Sequence, residues 1–356
     1  AMIDDLDAAM ETLYTFASAG DGILMRDFDI SSFKGDSRLW VSFANTLKLR
    51  MAIRMSGVEP EARRIAEEAV RDMATYGLID ANAENLSFSS DSRQNPFYTQ
   101  ATSTSWQDLR SNASIVMYMN AYEDPRRASY FSKSGYDGIY VGERAGIQNV
   151  TPTDYATYSY PLFAEKDPVP VMYASESWFL RAEGALLGWT MGDTAENLYN
   201  TGVKTSLELW GNGSSYETYI ASETAPALSY ADPRNKHNVS DFGTAVSVKW
   251  ADDGNELERI ITQKWIAIFP LGVEAWSEHR RTGYPKLLPV PTDKSGGTVN
   301  VEQGARRLPY PVEEYQQNNA NLQAAIQTLG AEQQNGDRSG DLMGTRVWWD
   351  CKPYNK

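Results

Sequence analysis

Apolar residues recur every three or four positions along residues 1–16, which is the spacing of an amphipathic helix. We expect this first helix to end near Gly20. The repeated apolar positions are Ile3, Leu6, Met10, Leu13 and Tyr14.

Two further helices are predicted before residue 80. Asp36 or Ser37 can cap the second helix, which closes at Gly57. Pro60 opens the third, and Gly77 ends it. The predicted buried stripe of the second helix consists of Trp40, Phe43, Ala44, Leu47, Met51 and Ile53.

Residues 81–170 differ from the sequence before them, because Ser, Asn, Gly, Pro and Tyr are frequent and helical periodicity is not sustained. We interpret this segment as a long, loop-rich excursion from the helical part. It contains one predicted short helix, over residues 106–122, which ends before Asp124 and Pro125.

Helical periodicity returns over residues 171–189 and again over 194–209, and these two helices are expected to form a hairpin. Another helix is predicted over 255–276, with a kink or break at Pro270 and Gly272. The last predicted helix covers residues 319–329. At the expected crossing of the hairpin the side chains are small, at Ala182, Ala185, Ala195 and Gly202.

These elements predict a mostly α fold of tetratricopeptide-like helical hairpins with long loop-rich excursions, in one domain over residues 1–356. Residues 1–80 and 171–280 form the helical scaffold in this scheme. Residues 81–170 are the candidate ligand-binding region, and residues 281–356 form an irregular C-terminal region.

Composition narrows the possible functions. The chain has 47 acidic and 33 basic residues, and its net charge of -14 would repel nucleic acid. The lone Cys351 excludes an intramolecular disulfide, and the two histidines, His237 and His279, lack zinc-ligand spacing. No cofactor is therefore expected, and no metal-binding residue is identified. Acidic and amide loops could hold calcium, although the twelve-residue calcium-loop pattern is absent from the sequence. No apolar run approaches the roughly 20 residues that span a bilayer.

Several segments resemble the SusD-like (RagB/SusD) family of outer-membrane nutrient-binding lipoproteins. The strongest match is residues 260–269, followed by Glu274-Ala275-Trp276 and by Arg280-Arg281-Thr282-Gly283-Tyr284-Pro285. Further similar segments lie in the same order along the chain, at residues 40–50, 174–184, 306–311 and 345–350.

The resemblance implies a carbohydrate site carried by loops, a lipid anchor in the outer membrane and a TonB-dependent SusC-like transporter as partner. It implies no catalysis. The chain resembles the C-terminal two-thirds or so of the family's fold, so we expect a signal peptide and a lipidated cysteine upstream of Ala1. Membrane contact would then occur only through that anchor.

Two other classes of function remain open. One is a helical-repeat scaffold that binds a protein, or a peptide or glycoprotein nutrient, without binding sugar. The other is a glycoside hydrolase that uses Glu176 and Glu183, which share a helix face. Such carboxylate pairs are common by chance among 47 acidic residues.

The candidate ligand residues lie in the excursion, where aromatic side chains are mixed with amides that suit a hydroxyl-bearing ligand. Trp106 is the leading stacking platform, although it could instead be a buried staple of the helix that it begins. We assign Trp40, Trp178 and Trp265 to core packing, and Arg280 and Arg281 to internal ion pairs rather than to an anion site. The candidates are Asn95, Tyr98, Trp106, Tyr140 and Tyr158.

Overall fold

The structure, a computed structural model, describes residues 1–102, 109–148, 151–331 and 340–350. Helices dominate it, which confirms the mostly α class. In chain order the helices are α1 (Met2–Ala19), α2 (Ser37–Arg54), α3 (Ala62–Arg71), α4 (Met73–Tyr76), α5 (Pro96–Ala101), α6 (Ala113–Ala121), α7 (Arg127–Tyr130), α8 (Pro152–Tyr155), α9 (Ala174–Leu186), α10 (Ala195–Leu209), α11 (Tyr216–Ile220), α12 (Glu256–Ala267), α13 (Gly272–Thr282), α14 (Val312–Gln317) and α15 (Asn319–Ala331).

The strands are short and form two antiparallel pairs. Strand β1 (Leu86–Phe88) pairs with β2 (Val169–Met172), and β3 (Ala227–Tyr230) pairs with β4 (Val239–Thr244). Because β1 and β2 stand near the two ends of the excursion, their pairing closes it at its base. The β3–β4 hairpin was not predicted, because four or six residues of alternation are too few to identify a strand.

The first two helices lie where the sequence predicts them. The carboxylate of Asp36 caps α2 by accepting a hydrogen bond from the backbone N–H of Arg38 at 2.9 Å. The third predicted helix is instead divided into α3 and α4 at Asp72, and it ends at Gly77 with a φ of 75°. A side chain is disfavoured at that φ, which explains the glycine.

The predicted hairpin is formed by α9 and α10, and its close crossing is confirmed. A Cβ atom on Gly202 would lie 3.0–3.1 Å from three ring atoms of Phe179, so a larger residue would push the helices apart. The break predicted at Pro270 and Gly272 is also confirmed, and it covers residues 268–271, since α12 ends at Ala267 and α13 begins at Gly272.

Helix α2 corrects one prediction about which face is buried. Trp40, Phe43, Leu47 and Met51 are only partly buried, whereas polar residues of the same helix are fully buried. The amide of Asn45, for example, donates to the carbonyls of Ala69 at 2.9 Å and Gly77 at 2.8 Å. The other buried polar residues of this helix are Ser37, Ser42, Thr46 and Lys48.

Four cationic and four anionic side chains from α2, α9, α12 and α13 meet in the interior, and we call them the ionic network. Its members are 16% exposed or less. They are Arg50, Arg54, Glu176, Glu183, Lys264, Glu274, Glu278 and Arg281.

The ionic network is joined by bidentate contacts. Arg50 donates to both carboxylate oxygens of Glu176, at 2.7 and 2.6 Å, and Arg281 donates to both oxygens of Glu183, at 2.6 and 2.7 Å. Glu278 accepts from Arg281 at 2.6 Å and from Arg54 at 2.9 Å. These contacts confirm the internal ion-pair role expected of Arg281.

The C-terminal region is less irregular than predicted, since α14 precedes the expected last helix. Arg306 is 1% exposed and pairs with Asp350, which ties the end of the described chain to the region after α13. Within the residues described, no helix combines the length and apolar character that a membrane-spanning segment requires.

We predict that Lys264→Met lowers the free energy of unfolding by about 3–5 kcal/mol, because it removes one of the four buried cations and leaves the four buried carboxylates with only three. The amine lies 3.2 Å from Glu278, 3.8 Å from Glu176 and 3.9 Å from Glu274. Urea denaturation measures the difference.

The matched control is Lys249→Met, which removes an exposed lysine paired with Glu223 at 2.5 Å. Surface pairs contribute about 0–1 kcal/mol, so this variant should unfold almost like the wild type. Equal losses in the two variants would show that the ionic network does not hold the helices together.

Candidate ligand-binding groove

Asn95 is fully buried, and its side chain is committed to the fold. Its carbonyl oxygen caps α5 by accepting from the backbone N–H groups of Phe97 at 2.8 Å and Tyr98 at 3.3 Å. Its amide donates to the carbonyl of Asp167 at 2.9 Å. The residue thereby fixes the position of α5.

The other candidate residues are dispersed. Tyr158 is 2% exposed, and its hydroxyl donates to Asp232 at 2.6 Å. Tyr140 is partly buried beneath the guanidinium of Arg127, 4.8 Å from the ring centroid. Tyr98 is partly buried on α5. Trp106 lies outside the described residues, so the structure does not bring the five candidates together.

A groove of about 600 Å³ lies between the excursion and the α12–α13 pair. None of the four described candidates lines it, but Phe97, the neighbour of Tyr98, does. The excursion contributes Phe97, Leu109, Arg110, Ser111, Asn112, Ser114, Ile115, Ala145, Pro161 and Phe163. The opposite wall consists of Trp265, residues 268–272, Ala275, Trp276, His279, residues 287–290 and residues 301–305.

Aromatic rings stacked on one another join the two walls of the groove. Phe97 stacks on Phe163 with a centroid distance of 4.9 Å, and Phe163 stacks on Phe269 at 6.0 Å. Phe269 stacks in turn on the buried ring of Tyr130 at 4.7 Å. The stack is therefore continuous with the hydrophobic core, which holds its rings in place.

Helix α13 has its charged face inside the protein and its apolar face on the groove. Glu274, Glu278 and Arg281 belong to the ionic network. Gly272, Ala275, Trp276 and His279 follow the three-and-four spacing of a single helix face, and all of them line the groove. A helix on a protein surface ordinarily has the reverse arrangement.

Trp276 is held rigidly within this wall. Its indole N–H donates to the carbonyl of Ala305 at 3.0 Å, and the guanidinium of Arg280 lies 3.6 Å from its ring centroid. The guanidinium of Arg280 also lies 4.7 Å from the ring centroid of Trp349. The guanidinium of Arg54 lies 5.2 Å from the same centroid. Alternating guanidinium groups and indole rings thus connect the ionic network to Trp276.

Few polar groups face this apolar lining. The hydroxyl of Ser111 is buried and has no hydrogen-bond partner among the described residues. Burial, reinforced by the positive charge of Arg306, lowers the pKa of His279 to about 4, so its ring is neutral at pH 7. Arg110, whose guanidinium donates to the carbonyl of Tyr155 at 2.9 Å, adds a positive charge.

Broad aromatic faces with a few polar groups suit a ligand that has both apolar C–H faces and hydrogen-bonding groups. Among the described residues, no cluster of three or more His, Cys, Asp or Glu side chains could hold a metal ion. The aromatic faces and the few polar groups of the groove suit non-covalent binding by stacking and hydrogen bonds.

Sequence reasoning assigned Trp265 to core packing, but the structure shows two roles for this residue. Trp265 packs edge-on against Tyr118, with a centroid distance of 5.6 Å, and it also lines the groove. The packing expected of Trp40 and Trp178 is confirmed, because both lie against core clusters. The overlooked signal was the charge at positions 274, 278 and 281, which occupies one face of α13 and leaves the groove residues on the other.

The sequence matches the SusD-like family, described as Susd and RagB outer membrane lipoprotein, over residues 1–350. Among curated proteins, none is significantly similar to this chain in sequence.

Solved structures of SusD homologues are similar to the chain over almost its whole length. A chitin-binding SusD homologue from Flavobacterium johnsoniae is 38% identical with a TM-score of 0.90, and the match covers 99% of this chain and 72% of that one. A homologue from Bacteroides ovatus is 39% identical with a TM-score of 0.89, covering 98% and 72%. One from Bacteroides thetaiotaomicron is 43% identical with a TM-score of 0.85, covering 92% and 69%.

We predict that replacing His279 with Gln reduces the loss of stability on acidification. The folded pKa of about 4 lies below the ordinary 6.5, so the unfolded chain binds the proton more readily, and stability falls as the pH drops from 6.5 towards 4. Between pH 7 and pH 5 this linkage amounts to about 2 kcal/mol. Urea titrations of both proteins at the two pH values measure it, and identical pH dependence would contradict the assignment.

Proposed function

Because the chain belongs to the SusD-like family of outer-membrane lipoproteins, we propose that it binds glycan at the bacterial cell surface without catalysis and delivers it to a TonB-dependent SusC-like transporter. The groove between the excursion and α13 is the proposed glycan site. Membership of the family supports the outer-membrane location and the transporter partner. The geometry of the groove supports the position of the site.

One observation carries the proposal: the apolar face of α13, which includes Trp276, lines an open groove while the charged face of the helix is buried. Pyranose rings have apolar C–H faces that stack on aromatic rings, and their hydroxyls need nearby polar groups such as Ser111 and Arg110. The chitin-binding homologue, 38% identical to this chain, supports a glycan ligand.

The two carboxylates considered for glycoside hydrolysis are engaged elsewhere, which supports a non-catalytic role. Glu176 is fully buried and paired with Arg50, and Glu183 is 2% exposed and paired with Arg281. Burial acts to raise the pKa of Glu176, but Arg50 and Lys264 hold it below the usual value. A general acid needs a raised pKa and access to substrate.

Calorimetry with a panel of soluble oligosaccharides tests the proposal, which requires heat of binding with at least one of them. Absence of heat with every glycan, together with capture of a protein or peptide, would favour the interaction scaffold. Release of reducing ends from a polysaccharide would show an enzyme instead.

We predict that Trp276→Ala weakens glycan binding by about 1–3 kcal/mol, taking the value for a stacked nucleobase as a guide. Trp276→Phe should retain most of the affinity, because it keeps an aromatic face in the groove. Calorimetry gives both values, and thermal melting shows whether each variant is folded.

The matched control is Trp348→Ala, which removes an indole that is 50% exposed and does not line the groove. This variant should bind like the wild type. Equal loss of affinity on replacing either tryptophan would argue against a site in the groove.

A separate prediction concerns the excursion. If the glycan contacts the two candidates predicted from the sequence, Tyr98 and Trp106, rather than the groove alone, replacing both with Ala weakens binding by about 1–3 kcal/mol and leaves the helical circular dichroism intact. Undiminished affinity in the folded double variant would remove these two residues from the site.

A further inference from the structure

A second cavity, of about 580 Å³, lies beside the first turn of α12 and shares no lining residue with the groove. One part of its wall is the segment from the end of β4 to the first turn of α12. The other part is the segment that follows α11, at Glu223 and Ala225. The cavity is lined by Glu223, Ala225, residues 244–247, Lys249, Trp250, Ala251, Asp253, Asn255 and Glu258.

The segment at residues 245–253 forms a fixed wall, because side chains beneath it bind its carbonyl groups. The hydroxyl of Tyr122 donates to Val246 at 2.8 Å, and that of Tyr199 donates to Val248 at 2.7 Å. Arg259, which is 1% exposed, donates to the carbonyls of Ser247 at 3.0 Å and Ala251 at 3.1 Å. The cavity is thereby preformed, which lowers the entropic cost of binding.

Glu258 is the acidic residue of this cavity whose hydrogen-bonding capacity is unused. Glu223 is paired with Lys249 at 2.5 Å, and Asp253 is paired with Arg259 at 3.0 Å. The partly buried carboxylate of Glu258, by contrast, is within hydrogen-bond or salt-bridge distance of no described side chain, although the positive charges of Lys286 and Arg259 act on it from farther away. Burial raises its pKa, which reflects the incomplete solvation of the carboxylate.

Trp250 supplies an aromatic surface in the same cavity. Its indole N–H donates to Asp252 at 3.1 Å, and its ring lies against that of Tyr199 with a centroid distance of 5.5 Å. The ring is partly buried and lines the cavity, so it is oriented before any ligand binds. A fixed aromatic ring and a carboxylate acceptor that line one cavity are a combination that recognises hydroxyl-bearing rings.

We propose that this cavity is a second glycan-binding site, in which a neutral pyranose stacks on Trp250 and donates hydroxyl hydrogen bonds to Glu258. The cavity lining carries three carboxylates, on Glu223, Asp253 and Glu258, against the single cation of Lys249, so a neutral sugar fits better than an acidic one. The inference rests on the proposed function, since it assumes that the protein binds glycan. Two sites on one chain would allow a polysaccharide to bind with avidity.

Fluorine NMR of protein labelled with 5-fluorotryptophan tests the second site directly. Trp250→Phe and Trp276→Phe identify the two resonances, and neutral chito-, cello- and malto-oligosaccharides are the probes. We expect the Trp250 resonance to shift with at least one of them. Glu258→Gln should weaken that response about tenfold, since a hydrogen bond to a charged acceptor is lost.

The matched control is Glu217→Gln, which removes an exposed carboxylate on α11 and should leave both responses unchanged. In Glu258→Gln, the affinity measured from the shift of the Trp276 resonance should equal that of the wild type. Affinity electrophoresis through the corresponding polysaccharide should show weaker retardation of both Glu258→Gln and Trp250→Phe.

The outcomes separate the two proposals. A shift of Trp276 with no shift of Trp250 overturns the second site and leaves the groove. A Trp250 response that is unaltered by Glu258→Gln overturns the second site as described. A Trp250 shift that is sensitive to Glu258→Gln, with no Trp276 shift, supports the second site and overturns the groove. If neither resonance shifts with any probe, both the groove site and the second site are overturned.

Discussion

The ionic network is the constraint on which the rest of the structure depends, because charges taken out of water must find partners within the protein. Its eight side chains come from α2, α9, α12 and α13, which are distant in sequence. Each bidentate contact fixes both the distance and the rotation of the helices that it joins. The helices could not be exchanged or rotated without leaving a charge unpaired, so the ionic network specifies one arrangement of the scaffold.

The position of the groove follows from that constraint. Because α13 turns its charged residues inward, Gly272, Ala275, Trp276 and His279 on its remaining face are turned towards the excursion. The excursion covers it incompletely, with the stacked rings of Phe97 and Phe163 opposite Trp276. The long loop-rich segment and the inverted helix are therefore complementary parts of one surface, and neither forms the groove alone.

The sequence predicted the class of fold, most helices and the break between α12 and α13, because glycines, prolines and caps act over short distances. The sequence pattern did not identify the buried face of a helix when that face carries polar residues. Asn45 and Thr46 are buried in α2 while Trp40 is only partly so, and no periodicity of apolar residues can show this. The groove was missed for the same reason, since the burial of Glu278 and Arg281 depends on partners in α2 and α9. Aromatic residues of the excursion were noticed, but their separate destinations, such as the Asp232 partner of Tyr158, are set by tertiary contacts.

Because α13 has two faces, the residues that hold the scaffold together differ from those that line the groove. Substitutions at the outward positions leave the charges of the ionic network untouched, so the groove can be retuned while the scaffold stays constant. Gly272 illustrates the available space, because a Cβ atom there would meet no other atom within 4 Å. A small library of variants at Gly272 and Ala275 is thus a rational starting point for redirecting the protein towards other polysaccharides.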